Sequence, residues 1–139
     1  MTNILYPAIM LALFTFLMAF WMARERFAAI KNREVKLGDP GVRPTFSGRA
    51  GQVSNAYHNL LELPVLFYAV VAFAMAANGD DATMNILAWI FVACRIVQGL
   101  IHGTYNKVLH RFLAFLSGLS VLVVMWLKLL LHVSSATLT

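Results

Sequence analysis

The sequence predicts an all-α integral membrane protein built as a four-transmembrane-helix bundle. Of its 139 residues, 60% are hydrophobic and only 12% are charged, and the mean hydropathy is +0.74. Four apolar runs each approach the roughly 20 residues that a helix needs to cross a bilayer. A β-sheet is excluded because these runs are long, do not alternate in polarity, and would leave open sheet edges in lipid.

The predicted spans follow one another with short gaps, at about 4–23, 53–77, 84–102 and 112–132. The first resembles a signal peptide in position, but no basic residue precedes it and no small-residue cleavage site follows it, so we interpret it as a span. Together the spans occupy most of the chain. We therefore expect a single domain, residues 1–139, without a separate soluble module.

Charge placement predicts the orientation in the membrane. The first connection, residues 24–49, holds seven Lys or Arg against three Asp or Glu, whereas the second, residues 78–81, carries only acids. The Pro- and Gly-rich part of the first connection, residues 38–44, predicts a turn or loop. By the positive-inside rule the basic connections lie in the cytoplasm and both termini lie outside it. The net charge of +5 then indicates contact with lipid headgroups, and a nucleic-acid partner is not needed to explain it.

Polar residues form one stripe on the second predicted helix. Asn55, His58, Asn59 and Glu62 are spaced at i, i+3, i+4 and i+7, so they project within about 60° of one another. Facing lipid would be costly for the ionised carboxylate above all. The stripe must therefore face the bundle interior, a partner subunit or a wet cavity.

A second stripe occupies the third predicted helix, at Arg95, Gln98 and His102. Glu62 lies roughly 13 Å and Arg95 roughly 10 Å from the cytoplasmic ends of their spans, at 1.5 Å per residue. This matching depth predicts a Glu62–Arg95 pair inside a polar chamber that opens toward the cytoplasm. The same groups can also act only as interhelical contacts that fix helix register.

Other kinds of site find little support. His58, Glu62 and His102 are the available metal ligands, but there is no HExxH pair and no second carboxylate at ligand spacing, so no metal site is predicted. Serine-nucleophile and phosphate-loop motifs are also absent from the sequence.

Two stretches resemble the family of membrane-associated proteins in eicosanoid and glutathione metabolism (MAPEG). They are NAYHNLLELPVLFYA, with its Asn59-x-x-Glu62 core, and RIVQGLIHGTYNKVLHR, which leads into the fourth helix. The resemblance covers the whole chain, including the long first and short second basic connections. It implies a homotrimer that binds glutathione as co-substrate between subunits on the cytoplasmic side, and a bacterial-type member located in the inner membrane.

The resemblance also assigns expected roles to single residues. Asn59 and Glu62 match the family's glutathione-contacting pair, and Arg95 matches a third-helix arginine. Arg111 matches the arginine near the thiol, so we expect it to be the catalytic cation, with Lys107 as the second candidate. The expected ligand contacts are Asn55, His58, Asn59, Glu62, Arg95, His102, Asn106 and Lys107.

The chain departs from the family pattern where other members carry an arginine or a tyrosine. Asn55 stands at the arginine position, and Ile96, Leu100 and Phe115 stand at tyrosine positions, which removes donors that can hold a carboxylate or a thiolate. Three functions stay open: a glutathione S-transferase or peroxidase acting on lipophilic substrates, a non-catalytic lipid- or ligand-binding protein, and a structural or small-solute membrane component. The substrate is not identified.

Overall fold

The computed structural model describes residues 3–35 and 44–136, which form four helices and no strands. The helices are α1 (Leu5–Lys31), α2 (Gly48–Ala76), α3 (Ala82–Gly103) and α4 (Val108–Ala136). All but Pro44 of the stretch 38–44, for which a turn or loop is predicted, lies outside the described residues.

Each helix is long and apolar enough to cross a membrane. The helices contain 27, 29, 22 and 29 residues, and the most apolar window of each has a mean hydropathy between 1.8 and 2.2. They extend beyond the predicted apolar spans, because a helix continues into polar sequence where headgroups and water replace hydrocarbon. Ile4 and Ala77 alone of the predicted span residues fall just outside the helices. The protein is an integral membrane protein.

α2 and α3 each pack against the other three helices, which places them at the centre of the bundle. Phe67 of α2 and Phe91 of α3 are fully buried and stack with their ring centroids 4.6 Å apart. Most large side chains on α1 and α4 are exposed on the protomer, as expected where lipid is the solvent. Because lipid tails are as apolar as leucine, close side-chain packing rather than burial from water holds such helices together.

A charged side chain lies where α3 approaches α4. Arg95 is completely buried, with its guanidinium 5.2 Å from the ring of Phe91 and 5.3 Å from the ring of Phe115. It donates a 3.3 Å hydrogen bond to the carbonyl oxygen of Phe115. A Cβ on Gly118 would lie 2.8 Å from Arg95 Nη2, so the missing side chain at position 118 makes room for the guanidinium.

The α2–α3 turn, residues 77–81, closes the end of the bundle opposite the α1–α2 and α3–α4 connections. Asp81 caps α3 by accepting a 2.8 Å hydrogen bond from the backbone N–H of Met84. Its other carboxylate oxygen pairs with Lys128 of α4 at 2.7 Å, and His132 contacts the carbonyl oxygen of Ala77 at 3.1 Å. The hydrogen bond from Lys128, followed by the one from Met84, lowers the pKa of Asp81 below its usual value.

We expect Asp81→Ala to lower the free energy of unfolding by about 1 kcal/mol for the lost cap, with at most about 1 kcal/mol more for the exposed ion pair. Asp81→Asn keeps the cap and should lose only the ion pair. Because folding lowers the pKa of Asp81, its contribution is complete above the ordinary value of about 3.9 and disappears as the pH falls through the lower folded-state value. Unfolding in detergent micelles across acid pH measures both effects, and equal damage from the two substitutions would contradict the capping role.

Gly118→Ala should destabilise the protein by about 1 to 3 kcal/mol, because the new methyl group overlaps the Arg95 guanidinium. Glycine to alanine inside a helix otherwise stabilises by about 1 kcal/mol, so the sign of the effect is diagnostic. Ser120→Ala, on an exposed position of the same helix, is the matched control and should change stability by less than about 0.5 kcal/mol. Thermal unfolding of both variants tests this, and a more stable Gly118→Ala protein would contradict the packing described here.

Candidate functional site

A cavity of about 350 Å³ lies between α2, α3 and α4, at the end of the bundle that carries the basic connections. We call it the polar cavity. Its walls combine polar groups with one apolar side, and it is lined by Asn55, Asn59, Gln98, His102, Val108, Arg111, Phe112 and Phe115. Several of these residues are exposed on the protomer surface, so the cavity opens there.

A continuous chain of side-chain contacts crosses the polar cavity from α2 to α4. Asn59 on α2 contacts Nδ1 of His102 at 3.1 Å, and Nε2 of His102 contacts Nη1 of Arg111 at 3.1 Å. The same Arg111 nitrogen donates to Oδ1 of Asn106 at 3.0 Å. Asn106 adopts a left-handed backbone conformation, with φ of 50°, which asparagine tolerates better than most residues. The α3–α4 turn thus orients Arg111.

The start of α2 is tied to the end of α3, and this aligns Asn59 with His102. The amide nitrogen of Gln52 donates to the carbonyl oxygens of His102 and Thr104 at 2.8 and 2.7 Å. Arg49 donates to the same Thr104 oxygen at 3.3 Å. These bonds satisfy carbonyl groups that a helix leaves free at its C-terminus, so the register between α2 and α3 is fixed by hydrogen bonds at the level of the cavity.

A second layer lies behind the cavity wall. Arg95 donates a 2.6 Å hydrogen bond from Nη1 to Oε1 of Gln98, and Gln98 lines the polar cavity. Arg95 Nε has no hydrogen-bond partner although it is buried. Arg95 therefore acts on the cavity through Gln98 and through its charge, without reaching the lining itself.

The polar cavity is positively charged. Within residues 3–35 and 44–136 the only ion pair joins Asp81 and Lys128 at the far end of the bundle, so neither Arg95 nor Arg111 is neutralised by a carboxylate there. No cluster of three or more potential metal ligands occurs in this described part of the chain. The arrangement is suited to an anionic group, since charge-assisted hydrogen bonds are the strongest that such donors make.

The structure brings together part of the predicted site. Asn55, Asn59, His102 and Arg111 line the polar cavity, and Asn106 supports Arg111. The two predicted stripes do face each other at the level of Asn59 and His102.

Three predicted contact residues lie elsewhere on the protomer: His58, Glu62 and Lys107 are exposed and do not line the cavity. His58 contacts the carbonyl oxygen of Ser54 at 2.7 Å through Nδ1. Their roles as ligand contacts therefore cannot come from this cavity within one protomer.

The predicted Glu62–Arg95 pair is wrong within one chain. Leu60 is buried and faces α3, where it lies near Gly99. Glu62 follows two residues later, about 200° further round the helix, and so points away from Arg95. Matching depth placed the two side chains at the same level but carried no information on their direction.

Gln98 and the apolar wall were not among the predicted contact residues. Gln98 lies at i+3 from Arg95 in the same stripe as His102, so helical periodicity already pointed to it. Phe112 and Phe115 form an i, i+3 pair at the start of α4, but this spacing also describes a lipid-facing surface. Only the packing of α4 against α2 and α3 shows that the two rings border a cavity.

No curated protein matches the chain. The sequence model of the MAPEG family matches residues 4–131, which includes all of α1, α2 and α3, the whole polar cavity and most of α4. The match is consistent with the four long apolar helices of the structure. The chain therefore belongs to the MAPEG family.

Proposed function

We propose that the protein binds glutathione in the polar cavity and uses it as a glutathione S-transferase or peroxidase acting on lipophilic substrates. The observation that carries this proposal is a pair of arginines, Arg95 and Arg111, that no carboxylate of the described residues compensates, beside an apolar wall at one end of a membrane bundle. MAPEG proteins are generally associated with glutathione, a small anionic thiol. The anion matches the cationic side of the cavity, and an apolar co-substrate matches the side of Phe112 and Phe115.

The chemistry requires that the thiol lose its proton. An unperturbed thiol has a pKa of about 8.5, and a nearby cation raises the thiolate fraction at neutral pH. Arg111 is the proposed cation, since it is held by His102 and Asn106. In a transferase reaction the sulfur forms a bond to an electrophilic carbon, and the leaving group departs with the bonding electrons. In a peroxidase reaction the thiolate attacks the terminal oxygen of the hydroperoxide, so that a sulfur–oxygen bond forms while the O–O bond breaks and the alkoxide leaves as the alcohol after taking up a proton. A second glutathione then reduces the resulting sulfenic acid, which yields glutathione disulfide and water.

The exposed His58 and Glu62 on α2 support association between copies of the chain, and the homotrimer is proposed from the family resemblance. Glu62 is exposed on the protomer although it lies within an apolar span, and an ionised carboxylate that faces lipid is costly. A neighbouring subunit that covers this surface removes that cost and is consistent with glutathione held between subunits. In such an assembly His58 and Glu62 contact a ligand that is bound between subunits, outside the protomer's own cavity.

A non-catalytic ligand-binding protein is the second candidate. Among the described residues, the side chains that line the polar cavity include no hydroxyl group, and Phe115 is at a position where some family members carry a tyrosine. A thiolate there has fewer donors to stabilise it. This function retains glutathione or lipid binding and lacks turnover.

The orientation of the single domain belongs to the same proposal: the polar cavity opens to the cytoplasm of a bacterial inner membrane. Ser47, exposed just before α2, tests the side. With Cys94→Ala as background, Ser47→Cys should react with a membrane-impermeant maleimide only after cells are opened. Labelling in intact cells would place the cavity on the outer side.

Arg111→Leu should lower turnover with a model electrophile by about 100-fold, the scale found when one stabilising donor is removed from a reacting centre. It should also reduce the thermal stabilisation by millimolar glutathione, because a ligand that binds the folded state stabilises it by mass action. Lys107→Leu is the matched control, since Lys107 is exposed and does not line the cavity.

The possible results separate the candidates. Unchanged activity in Arg111→Leu with loss in Lys107→Leu would transfer the catalytic role to Lys107. Stabilisation by glutathione without turnover supports the second candidate. A wild-type protein that millimolar glutathione does not stabilise would contradict both glutathione-dependent functions.

A further inference from the structure

His102 is a nine-tenths-buried histidine between two side chains that line the polar cavity, and only 5% of its surface is exposed. We propose that His102 is a positioning residue: it is held as the neutral Nδ1–H tautomer and makes the fixed polar side chains of the cavity present hydrogen-bond donors only. The ligand group selected is an anion without donors of its own, such as a carboxylate or a thiolate. This inference rests on the proposed role of the cavity as the ligand site.

The contact with Arg111 determines the tautomer. A guanidinium has five N–H donors and no acceptor in any rotation, so at 3.1 Å Nε2 of His102 must accept. A neutral imidazole carries one proton, which is then on Nδ1. The reverse tautomer would point Nε2–H at an arginine N–H, and two donors cannot bond to each other.

The tautomer in turn determines the orientation of the Asn59 amide. The Asn59 atom 3.1 Å from Nδ1 is placed as Nδ2, but two N–H groups cannot form a hydrogen bond. The oxygen and nitrogen of an amide are exchanged by a half-turn and are assigned from their partners. Asn59 can turn and Arg111 cannot become an acceptor, so the amide oxygen faces His102. The NH₂ group of Asn59 is then free to face the cavity.

Gln98 also presents a hydrogen-bond donor to the cavity, but for a different reason. Its Oε1 accepts a 2.6 Å hydrogen bond from Arg95, which leaves its NH₂ group as the unused polar group. Only 5% of Gln98 is exposed, so it lines the cavity in a fixed setting. Gln98, Asn59 and Arg111 thus offer N–H groups and no acceptor, whereas Asn55 is exposed and can present either end of its amide.

Protonation of His102 would break this arrangement. Charged groups near it are Arg111 from α4 and Arg49 from α2, which donates to the carbonyl oxygen of Thr104. From α1 comes Glu25, whose carboxylate accepts a hydrogen bond from Trp21, and Trp21 lies beside Gly103. A second proton on His102 would sit on Nε2, against Arg111, and would displace that guanidinium. Ligand binding should therefore weaken at pH values below about 6.5, the ordinary midpoint of histidine protonation, because burial and the Arg111 cation both oppose a charged His102.

Two substitutions separate the two contacts of His102. In His102→Gln the amide oxygen can take the place of Nε2 and still accept from Arg111. In His102→Asn the amide nitrogen can take the place of Nδ1 and still donate to Asn59. Each variant loses one of the two contacts, so we expect it to bind glutathione about tenfold more weakly than wild type, the scale of one hydrogen bond to a charged group. Neither the glutamine nor the asparagine side chain titrates. With S-methylglutathione, which has no thiol to titrate, the affinity of the two variants should not change between pH 7.5 and 5, while that of wild type should fall as the pH is lowered.

The control is His132→Gln, since His132 lies at the opposite end of the bundle, where its Nε2 contacts the carbonyl oxygen of Ala77. It should keep both the wild-type affinity and the wild-type pH profile. A pH profile that persists in both His102 variants, or that disappears in His132→Gln, would overturn the proposal. A general loss of structure would instead appear as lower thermal stability of the unliganded His102 variants at every pH.

Three ligands distinguish which anionic group accepts hydrogen bonds from the N–H groups of the cavity. Glutathione is compared with S-methylglutathione, which has no thiolate, and with glutathione dimethyl ester, which has no carboxylates. The loss of affinity in His102→Gln should disappear for the ligand that lacks the recognised anion. Equal losses for all three ligands would overturn the assignment of an anion to these donors.

The tautomer has a test that needs no ligand. In protein labelled with ¹⁵N-histidine, the His102 signal, assigned by its absence in His102→Gln, should show an unprotonated Nε2 and a protonated Nδ1 at pH 7.5. A protonated Nε2 would overturn the inference. If wild-type protein fails to bind glutathione but shows the Nδ1–H tautomer, the proposed function fails while the assignment of His102 as a positioning residue stands.

Discussion

Arg95 is a charged side chain, wholly buried between α3 and α4, and no carboxylate of the described residues balances its charge. A buried cation costs free energy unless hydrogen bonds and nearby groups compensate for the lost solvation. Two of its nitrogens donate, to Gln98 and to the backbone of Phe115. Gly118 provides the space that it occupies. The wall of the polar cavity therefore depends on how α3 and α4 accommodate this one guanidinium.

The same constraint, that polar groups inside a membrane protein must find partners within the protein, explains the hydrogen bonds between α2 and α3. Gln52 satisfies two carbonyl oxygens at the end of α3, and Asn59, about two turns further along α2, meets His102. These contacts fix the register of two helices whose apolar surfaces alone would permit sliding. The cavity is consequently a product of satisfying polar groups and does not need a separate scaffold.

The two ends of the bundle use charge differently. At the α2–α3 turn, Asp81 and Lys128 form an exposed ion pair, which contributes little to stability but holds α4 beside the turn. At the other end Arg95 and Arg111 have no carboxylate partners among the described residues; Arg111 lines the polar cavity, and Arg95 lies behind its wall. A ligand anion would provide the missing charge, and this asymmetry agrees with a binding site at the end with the basic connections.

The sequence by itself determined the fold class and the elements of the site. Runs of apolar residues long enough to span a bilayer leave only a helical bundle, because an unpaired backbone is not tolerated in lipid. Helical spacing identified the stripes that contain Asn59 and His102, and the short α3–α4 turn placed Arg111 near them in the chain.

Only the tertiary structure decided which of these side chains meet. Periodicity places residues on a helix face, but the rotation of each helix about its axis is set by packing with its neighbours. Leu60 packs toward α3 and thereby turns Glu62 away from Arg95, whereas Gly118 admits Arg95 and directs it to Gln98. The hydrogen-bonding role of His102 likewise depends on a contact nine residues further along the chain, with Arg111. No local pattern contains that contact, because it exists only once α4 has folded back against α3.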